Sequence, residues 1–209
     1  MTNLRKISKS KSHLIGGSLL ILFGIGLFIF PYFYNQYQNK QEELKIEQFF
    51  VEEKEPVVSE DNNSTNSSSK TPKDPFIAVL EIPNINLKKG LYDIHSKNNT
   101  VSKGIQIIKE SDMPDVVNGN FILASHSGTG RIAYFNKLNQ LRIDDKVYVY
   151  YDHVKYTYQI IRINNVVKDG TIEIERLKIN SMITLTTCSQ SDKEKQLIVI
   201  GQLINKEEF

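Results

Sequence analysis

The chain has 209 residues, of which 24% are charged, and its formal net charge is only +2. So small a net charge gives no reason to expect a nucleic-acid partner. A single cysteine excludes a disulfide within the chain. The sequence has neither a Gly-rich phosphate loop nor a Cys/His cluster of zinc type, so we expect no cofactor and no metal.

The first residues predict a membrane anchor. Residues 1–13 contain Arg5, Lys6, Lys9 and Lys11 and no acid, and residues 14–34 carry no charge. About 20 apolar residues in a helix span the bilayer core, and the preceding positive charge places the N-terminus in the cytoplasm. We therefore predict a cytoplasmic tail (1–13) and a single-pass transmembrane signal-anchor helix in the cell membrane (14–34), with the rest extracytoplasmic. A buried core helix and a cleaved signal are the alternatives.

Residues 35–75 predict an extracytoplasmic stalk and a flexible linker. Residues 36–50 are rich in Gln, Glu and Lys and could form a short stalk helix. Residues 51–75 are acidic and then rich in Asn and Ser. Such a composition buries too little apolar surface to offset the conformational entropy of the chain, which predicts a flexible tether.

Residues 76–209 are large enough for one domain with its own core. Their hydrophobic pattern is mostly of period two, which indicates strands. Residues 131–141 are the best helix candidate. Many short strands with little helix predict an antiparallel barrel or sandwich. The predicted strands are 76–82, 121–124, 146–151, 155–161, 171–174, 182–187 and 197–203.

The cysteine, Cys188, is predicted to lie at the end of a strand on the face that carries Thr184 and Thr186. The residues that follow it, 189–195, are all polar and predict an exposed loop. Structural cysteines are usually buried among apolar neighbours. This position therefore favours a functional thiol, although a leftover cysteine or an intermolecular bridge remains possible on the residues alone.

A nucleophilic thiol needs a proton-transferring partner, and four histidines compete for that role. His13 is on the cytoplasmic side of the predicted anchor, His153 is in a predicted hairpin turn, and His95 is in a polar loop. His126 follows the buried strand 121–124 and opens a Gly-rich loop, a place where sites are commonly built. His126 is therefore the preferred partner of Cys188.

Three segments of the chain resemble the sortases, the membrane-anchored cysteine transpeptidases of Gram-positive bacteria. Residues 184–188 (TLTTC) are similar to the family's TLxTC signature, residues 82–87 (IPNINL) to its early IPxIxL strand, and residues 121–126 (FILASH) to the strand before the catalytic histidine. The resemblance covers residues 76–203, and an N-terminal anchor with a tether is the usual sortase layout. It implies an all-β domain: a closed barrel of about eight strands with a few short helices.

The resemblance also implies a mechanism. Cys188 would attack a peptide carbonyl within a C-terminal sorting signal, often of the LPxTG type, of a secreted protein, and His126 would protonate the released amine. An amine, typically from a lipid-linked peptidoglycan precursor or a pilin lysine, would then resolve the thioester. No membrane segment follows the predicted domain, which favours wall anchoring over pilus polymerisation.

The chain departs from the family at one position. Sortases usually carry an arginine at the start of the strand after the cysteine, but residues 193–201 read KEKQLIVIG. Gln196, or Lys195 one residue earlier, stands there instead, and neither reproduces a rigid guanidinium fork. Arg131, five residues after His126, is a second candidate for binding the oxyanion or positioning the substrate.

Two other functions remain open. The missing arginine is compatible with a catalytically weak or silent surface-binding module on a sortase-like barrel. Another extracytoplasmic cysteine hydrolase, such as a protease or an L,D-transpeptidase, is the second alternative, but the Ser-His-Gly-Cys type of motif common there is absent.

Overall fold

The computed structural model describes residues 4–52, 74–168, 176 and 179–209. The chain divides into two compact units, Met1–Leu44 and Lys45–Phe209.

The N-terminal helix, α1, runs over Leu4–Glu52. Its part Gly17–Glu52 is long and apolar enough to cross a membrane, and the side chains of its apolar window are exposed. The helix includes the segment in which we expect the anchor and residues 36–50, where a stalk helix is expected. It is compatible with a membrane-anchored protein, while the direction of crossing stays a prediction.

Eight strands form one sheet that curls into a nearly closed barrel. The order of the strands in the sheet is β2-β1-β5-β6-β8-β7-β4-β3. All neighbouring pairs are antiparallel except β4 and β7, which run parallel. The predicted β-barrel of about eight strands is therefore confirmed. The strands are β1 (Ala78–Ile82), β2 (Leu87–Leu91), β3 (Gln106–Ile107), β4 (Asn120–Ala124), β5 (Lys146–Tyr151), β6 (Val154–Val167), β7 (Met182–Cys188) and β8 (Lys195–Glu208).

The predicted helix over residues 131–141 is wrong. These residues form turns followed by a short 3-10 helix, Leu138–Gln140. One reason is that the N–H of Phe135 donates to the carbonyl of His126 across the loop, instead of to a carbonyl one turn earlier. Strands β2 and β3 were not predicted, and the predicted strand 171–174 lies outside the described residues.

A register shift in β6 decides which of its side chains face the barrel interior. Before the shift, Tyr158 and Ile160 are buried in the core. Ile161 is the extra residue between Ile160 and Arg162, and such a bulge moves the next residues to the opposite faces. After it, Ile163 packs on the core and Asn165 lines a pocket.

Within the unit Lys45–Phe209, the last residues of α1 pack on the outside of β1. Ile46 and Phe49 are buried in one apolar cluster with Phe76 and Val79. Three aromatic residues, Phe50, Tyr150 and Phe209, pack at the edge of this cluster, with ring centroids 5.0 to 5.4 Å apart. The C-terminal residue is thus held between the end of α1 and the barrel.

Candidate active site

His126 and Cys188, the two residues that the sequence singles out, lie at the ends of neighbouring parallel strands. His126 comes two residues after β4, and Cys188 is the last residue of β7. In the β4–β7 register, Ala124 lies opposite Thr186, so His126 and Cys188 are each two residues further along. The Ser125 N–H donates to the Thr186 carbonyl at 3.3 Å, which carries the pairing beyond the last residue of β4. Because parallel strands end at the same edge of a sheet and lie about 4.8 Å apart, His126 and Cys188 come to one edge of the barrel.

Cys188 is a free and exposed thiol. Thr186 and Thr184, two and four residues earlier on the same face of β7, are buried, and Thr184 donates a hydrogen bond to Asn120 at 3.0 Å. The core instead takes Ile183 and Leu185 from the other face. The prediction of an exposed thiol at a strand end, on the face of the threonines, is confirmed.

The hydrogen-bond partner of the thiol is a lysine. Lys168 Nζ donates to Cys188 Sγ at 3.3 Å, and among the described residues no hydrogen bond joins His126 to Cys188. Catalytic hydrogen bonds are often long in the absence of substrate, so this does not count against the histidine. The structure thus adds a cation to the site that the sequence reasoning did not identify.

Lys168 comes one residue after the end of β6. In the sheet order, one strand, β8, lies between β6 and β7, the strand that carries the thiol. The backbone N–H of Lys168 donates to the carbonyl of Glu194 at 2.8 Å, next to the β6–β8 pair Val167–Lys195. Nothing in the sequence indicated that β6 runs on to Val167, since Asn164 and Asn165 interrupt its apolar pattern.

Of the three candidates for the role of the missing arginine, Gln196 is the one that the strand register places opposite the thiol. Gln196 is half-buried and lies opposite Cys188 in the β7–β8 register. Lys195 makes a 3.3 Å ion pair with Asp192. Arg131 is exposed in the turn after Gly130 and does not line the pocket beside Cys188.

The other described histidines lie elsewhere. His153 is in the β5–β6 turn, next to the end of β8 that carries Glu208, whereas Cys188 pairs with the start of β8. At about 3.3 Å per residue these two ends are roughly 40 Å apart along the strand. His95 is exposed in a turn after β2, where its N–H donates to Asp93.

A pocket of about 150 Å³ opens beside Cys188. The loop between β7 and β8 forms one wall and is held to the opposite wall through Gln190, which donates to the carbonyl of Asn136. Phe135, Ile163 and Leu197 are its apolar lining residues, and the others are mostly amides and hydroxyls: Ser127, Asn139, Asn165, Thr187, Ser189, Gln190 and Ser191. The lining of the pocket is therefore mostly polar, with a smaller apolar part.

Arg176, which lies between β6 and β7 in the chain, contacts the loop before β4. Arg176 Nε contacts Asp112 Oδ2 at 3.0 Å, and Arg176 also donates to the carbonyl of Glu110. Partial burial alone would raise the pKa of Asp112, but the hydrogen bonds from the Asn120 N–H and from Arg176 outweigh it and lower the pKa. The carboxylate is therefore ionised at neutral pH.

Among the described residues, no group of three or more His, Cys, Asp or Glu side chains is arranged to hold a metal ion. The arrangement that remains is a thiol, an imidazole from the neighbouring strand, and an ammonium at the thiol. These groups are suited to nucleophilic and acid–base chemistry.

Comparison with known proteins shows the family to which the chain belongs. A family model described as the sortase domain matches residues 80–204, which is more than half of the chain. The chain belongs to the sortase family. The family is one of transpeptidases, so the general class of enzyme follows from membership.

Two curated sortases align with this sortase over much of its length. Sortase A of Bacillus anthracis is 23% identical over 210 residues, covering 95% of this chain and 97% of the relative. Sortase D of Bacillus subtilis is 26% identical over 150 residues, covering 70% and 73%.

Solved structures share the fold. Sortase C-1 from Actinomyces oris superposes with a TM-score of 0.57 at 24% identity, covering 64% of this chain and 76% of that one. A lid mutant of sortase A from Corynebacterium diphtheriae gives a TM-score of 0.57 at 22% identity, covering 71% and 86%. At these identities the likeness concerns the fold.

Proposed function

We propose that this sortase cleaves a C-terminal sorting signal of LPxTG type in secreted proteins through a Cys188 thioacyl intermediate and transfers the product to an amine. The observation that carries the proposal is the parallel pairing of β4 and β7, which brings His126 and Cys188 to one edge of the barrel. Family membership supports the reaction class.

Cys188 Sγ forms a bond to the carbonyl carbon of the scissile peptide, and the bond from that carbon to the leaving nitrogen breaks. The released amine takes its proton from His126, which acts as general acid. An incoming amine then gives a proton to His126, forms a new amide bond and displaces Cys188. No net proton or electron is gained, so the two half-reactions balance.

The amine comes from a lipid-linked peptidoglycan precursor or from a pilin lysine. An anchor over residues 14–34 holds the domain at the extracytoplasmic face, where secreted proteins emerge. The apolar window in α1 supports this placement. A related solved structure, sortase C of Streptococcus pneumoniae, is described in terms of pilin substrate specificity, which makes a protein amine a reasonable acceptor to test.

A catalytically silent binding module on the same barrel is the second candidate. It is favoured by one observation: the residue opposite Cys188 at the start of β8 is Gln196, not an arginine. A neutral amide can donate a hydrogen bond but supplies no charge.

The deciding experiment incubates the full-length chain, in detergent micelles, with a library of sorting-signal peptides and an added amine. Intact mass reports an acyl adduct, and chromatography reports the transfer product. We expect an adduct that is absent in Cys188→Ala and forms at least about a hundredfold more slowly in His126→Ala. The variant His95→Ala, an exposed histidine away from the pocket, is the matched control.

An adduct and product that survive Cys188→Ala would overturn the proposed mechanism. Cleavage without transfer to any amine would indicate a plain hydrolase. No adduct with any peptide, together with binding of the same peptides to both wild type and Cys188→Ala, would support the silent module.

A further inference from the structure

We propose that Lys168 supplies the positive charge of this active site, where its ammonium pairs with the Cys188 thiolate in place of the arginine that β8 lacks. The inference rests on the proposed function, because it assigns a further catalytic residue to the same reaction. It is carried by a direct contact, since Lys168 Nζ lies 3.3 Å from Cys188 Sγ.

The backbone on both sides of this contact is fixed by the sheet. Lys168 donates its N–H to Glu194 at 2.8 Å, and Val167 pairs with Lys195. Gln196 then pairs with Cys188. The three strand segments that carry the lysine, the glutamine and the thiol are therefore neighbours, and the contact does not depend on a long unsupported loop.

The remaining charged groups near the thiol do not provide this cation. On the β7–β8 loop, the charge of Lys195 is taken up by Asp192 at 3.3 Å, and Glu194 is exposed. At the end of β4, His126 has to exchange a proton during the reaction and cannot also serve as a constant charge. Arg131 is exposed in the turn after Gly130.

Lys168 is suited to the step in which Cys188 attacks the substrate and negative charge moves from sulfur to oxygen. When Sγ attacks, its negative charge passes to the carbonyl oxygen of the tetrahedral intermediate, an atom two bonds from the sulfur. A lysine is a compact charge on a flexible four-carbon stem, so its ammonium can follow the charge from sulfur to oxygen. Lys168 neither gains nor loses a proton in this account.

The test uses the reactivity of the thiol, which is independent of any peptide substrate. Because Cys188 is the only cysteine, alkylation by iodoacetamide can be followed by intact mass on the full-length chain. Two unit charges at this distance in water interact weakly but measurably, so at about pH 7 and low salt we expect Lys168→Met to slow alkylation about fivefold. At about pH 10, where thiols are largely ionised, the difference should vanish.

Two further variants separate charge from packing. Lys168→Arg retains the charge and should keep the alkylation rate within about twofold of wild type. Lys193→Met removes an exposed lysine from the nearby β7–β8 loop and should leave the rate unchanged. High salt should diminish the wild-type advantage over Lys168→Met, because exposed charge pairs are screened.

Equal alkylation rates of wild type and Lys168→Met at low salt would overturn the proposal. A decrease in the rate of Lys168→Arg as large as that of Lys168→Met would also overturn it. If peptide acylation occurs in wild type while alkylation does not depend on Lys168, the proposed function stands and the role of Lys168 falls. If alkylation depends on Lys168 but no peptide ever acylates Cys188, the charge pairing stands and the proposed function falls.

Discussion

Thr187 Oγ1 donates a 2.7 Å hydrogen bond to the carbonyl oxygen of Ser125. Thr187 precedes Cys188 and Ser125 precedes His126, and both residues are buried. The bond therefore joins the backbones that carry the two candidate catalytic side chains, 62 residues apart in sequence. It also provides a buried carbonyl with a partner, which a purely apolar strand end would leave unpaired.

Replacing this threonine should affect both stability and catalysis. Thr187→Val keeps the shape of the side chain but leaves the Ser125 carbonyl without its donor, so we expect a loss of about 1 to 2 kcal/mol in stability. The acylation rate should fall more than the affinity for peptide, because the relative placement of His126 and Cys188 is disturbed. Thr100→Val, which removes only an exposed hydrogen bond between the Thr100 and Ser102 hydroxyls, is a control for the substitution itself. Unchanged thermal stability and rate in Thr187→Val would contradict this role.

Removal of a buried hydroxyl should stabilise the barrel. Tyr158 is fully buried and its hydroxyl has no hydrogen-bond partner among the described residues, while burial raises the pKa of this phenol above its ordinary value and keeps it neutral. Tyr158→Phe should therefore raise stability by about 1 kcal/mol. Tyr150→Phe is the matched contrast, because it deletes a 2.9 Å hydrogen bond to Glu81 and should destabilise. Thermal unfolding of both variants in the same detergent distinguishes the two; a lower melting temperature for Tyr158→Phe would show that its hydroxyl is satisfied.

The contribution of the Asp112–Arg176 ion pair to the free energy of unfolding should depend on pH. The pKa of Asp112 is lower in the folded state than its ordinary value, so its contribution is complete above about pH 4 and is lost as the pH falls through the folded pKa. Asp112→Asn should lower stability by roughly 1 kcal/mol at neutral pH and by progressively less in acid. Melting temperatures measured across this pH range, with exposed Asp115→Asn as control, check this expectation. A difference that grew on acidification would have the wrong sign.

Gly90 lies directly beneath an aromatic ring. A Cβ at this position would come within 2.2 Å of Phe76 Cδ2, so Gly90→Ala must displace the ring from the cluster around Val79. We expect a loss of about 1 to 3 kcal/mol, typical of overpacking. Gly130→Ala, where the added Cβ meets no atom within 4 Å, is the control. Chemical denaturation of the two variants gives the comparison, and equal stability would mean that Phe76 moves without cost.

The strands with clear apolar alternation could be predicted from the sequence. β5 was predicted with its observed bounds. The number of short strands indicated a barrel or a sandwich, and the resemblance to sortases decided for the barrel. β2 was missed because Lys88, Lys89 and Gly90 interrupt its apolar pattern, and β3 because two residues are too short to show a period. The helix over residues 131–141 failed because a tertiary hydrogen bond from Phe135 to His126 outweighed the local pattern.

In the candidate site, too, some residues could be predicted from the local sequence and others could not. His126 and Cys188 could be singled out because each comes where a strand meets a polar loop, which is visible locally. Lys168 could not, because its position depends on the bulge at Ile161 and on the β6–β8 register. The bulge and the register result from pairing between distant segments of the chain, which is difficult to predict from a single sequence.

The packing of the last residues of α1 on β1 bears on where the chain can be cut for work in solution. A fragment begun at Phe76 would lack Ile46 and Phe49 and so leave the apolar surface of Phe76 and Val79 bare. Contiguous bare apolar surface promotes self-association, so we expect such a fragment to aggregate as its concentration rises. A fragment that begins at Lys45 keeps the whole compact unit and is the better choice for crystallisation or binding measurements.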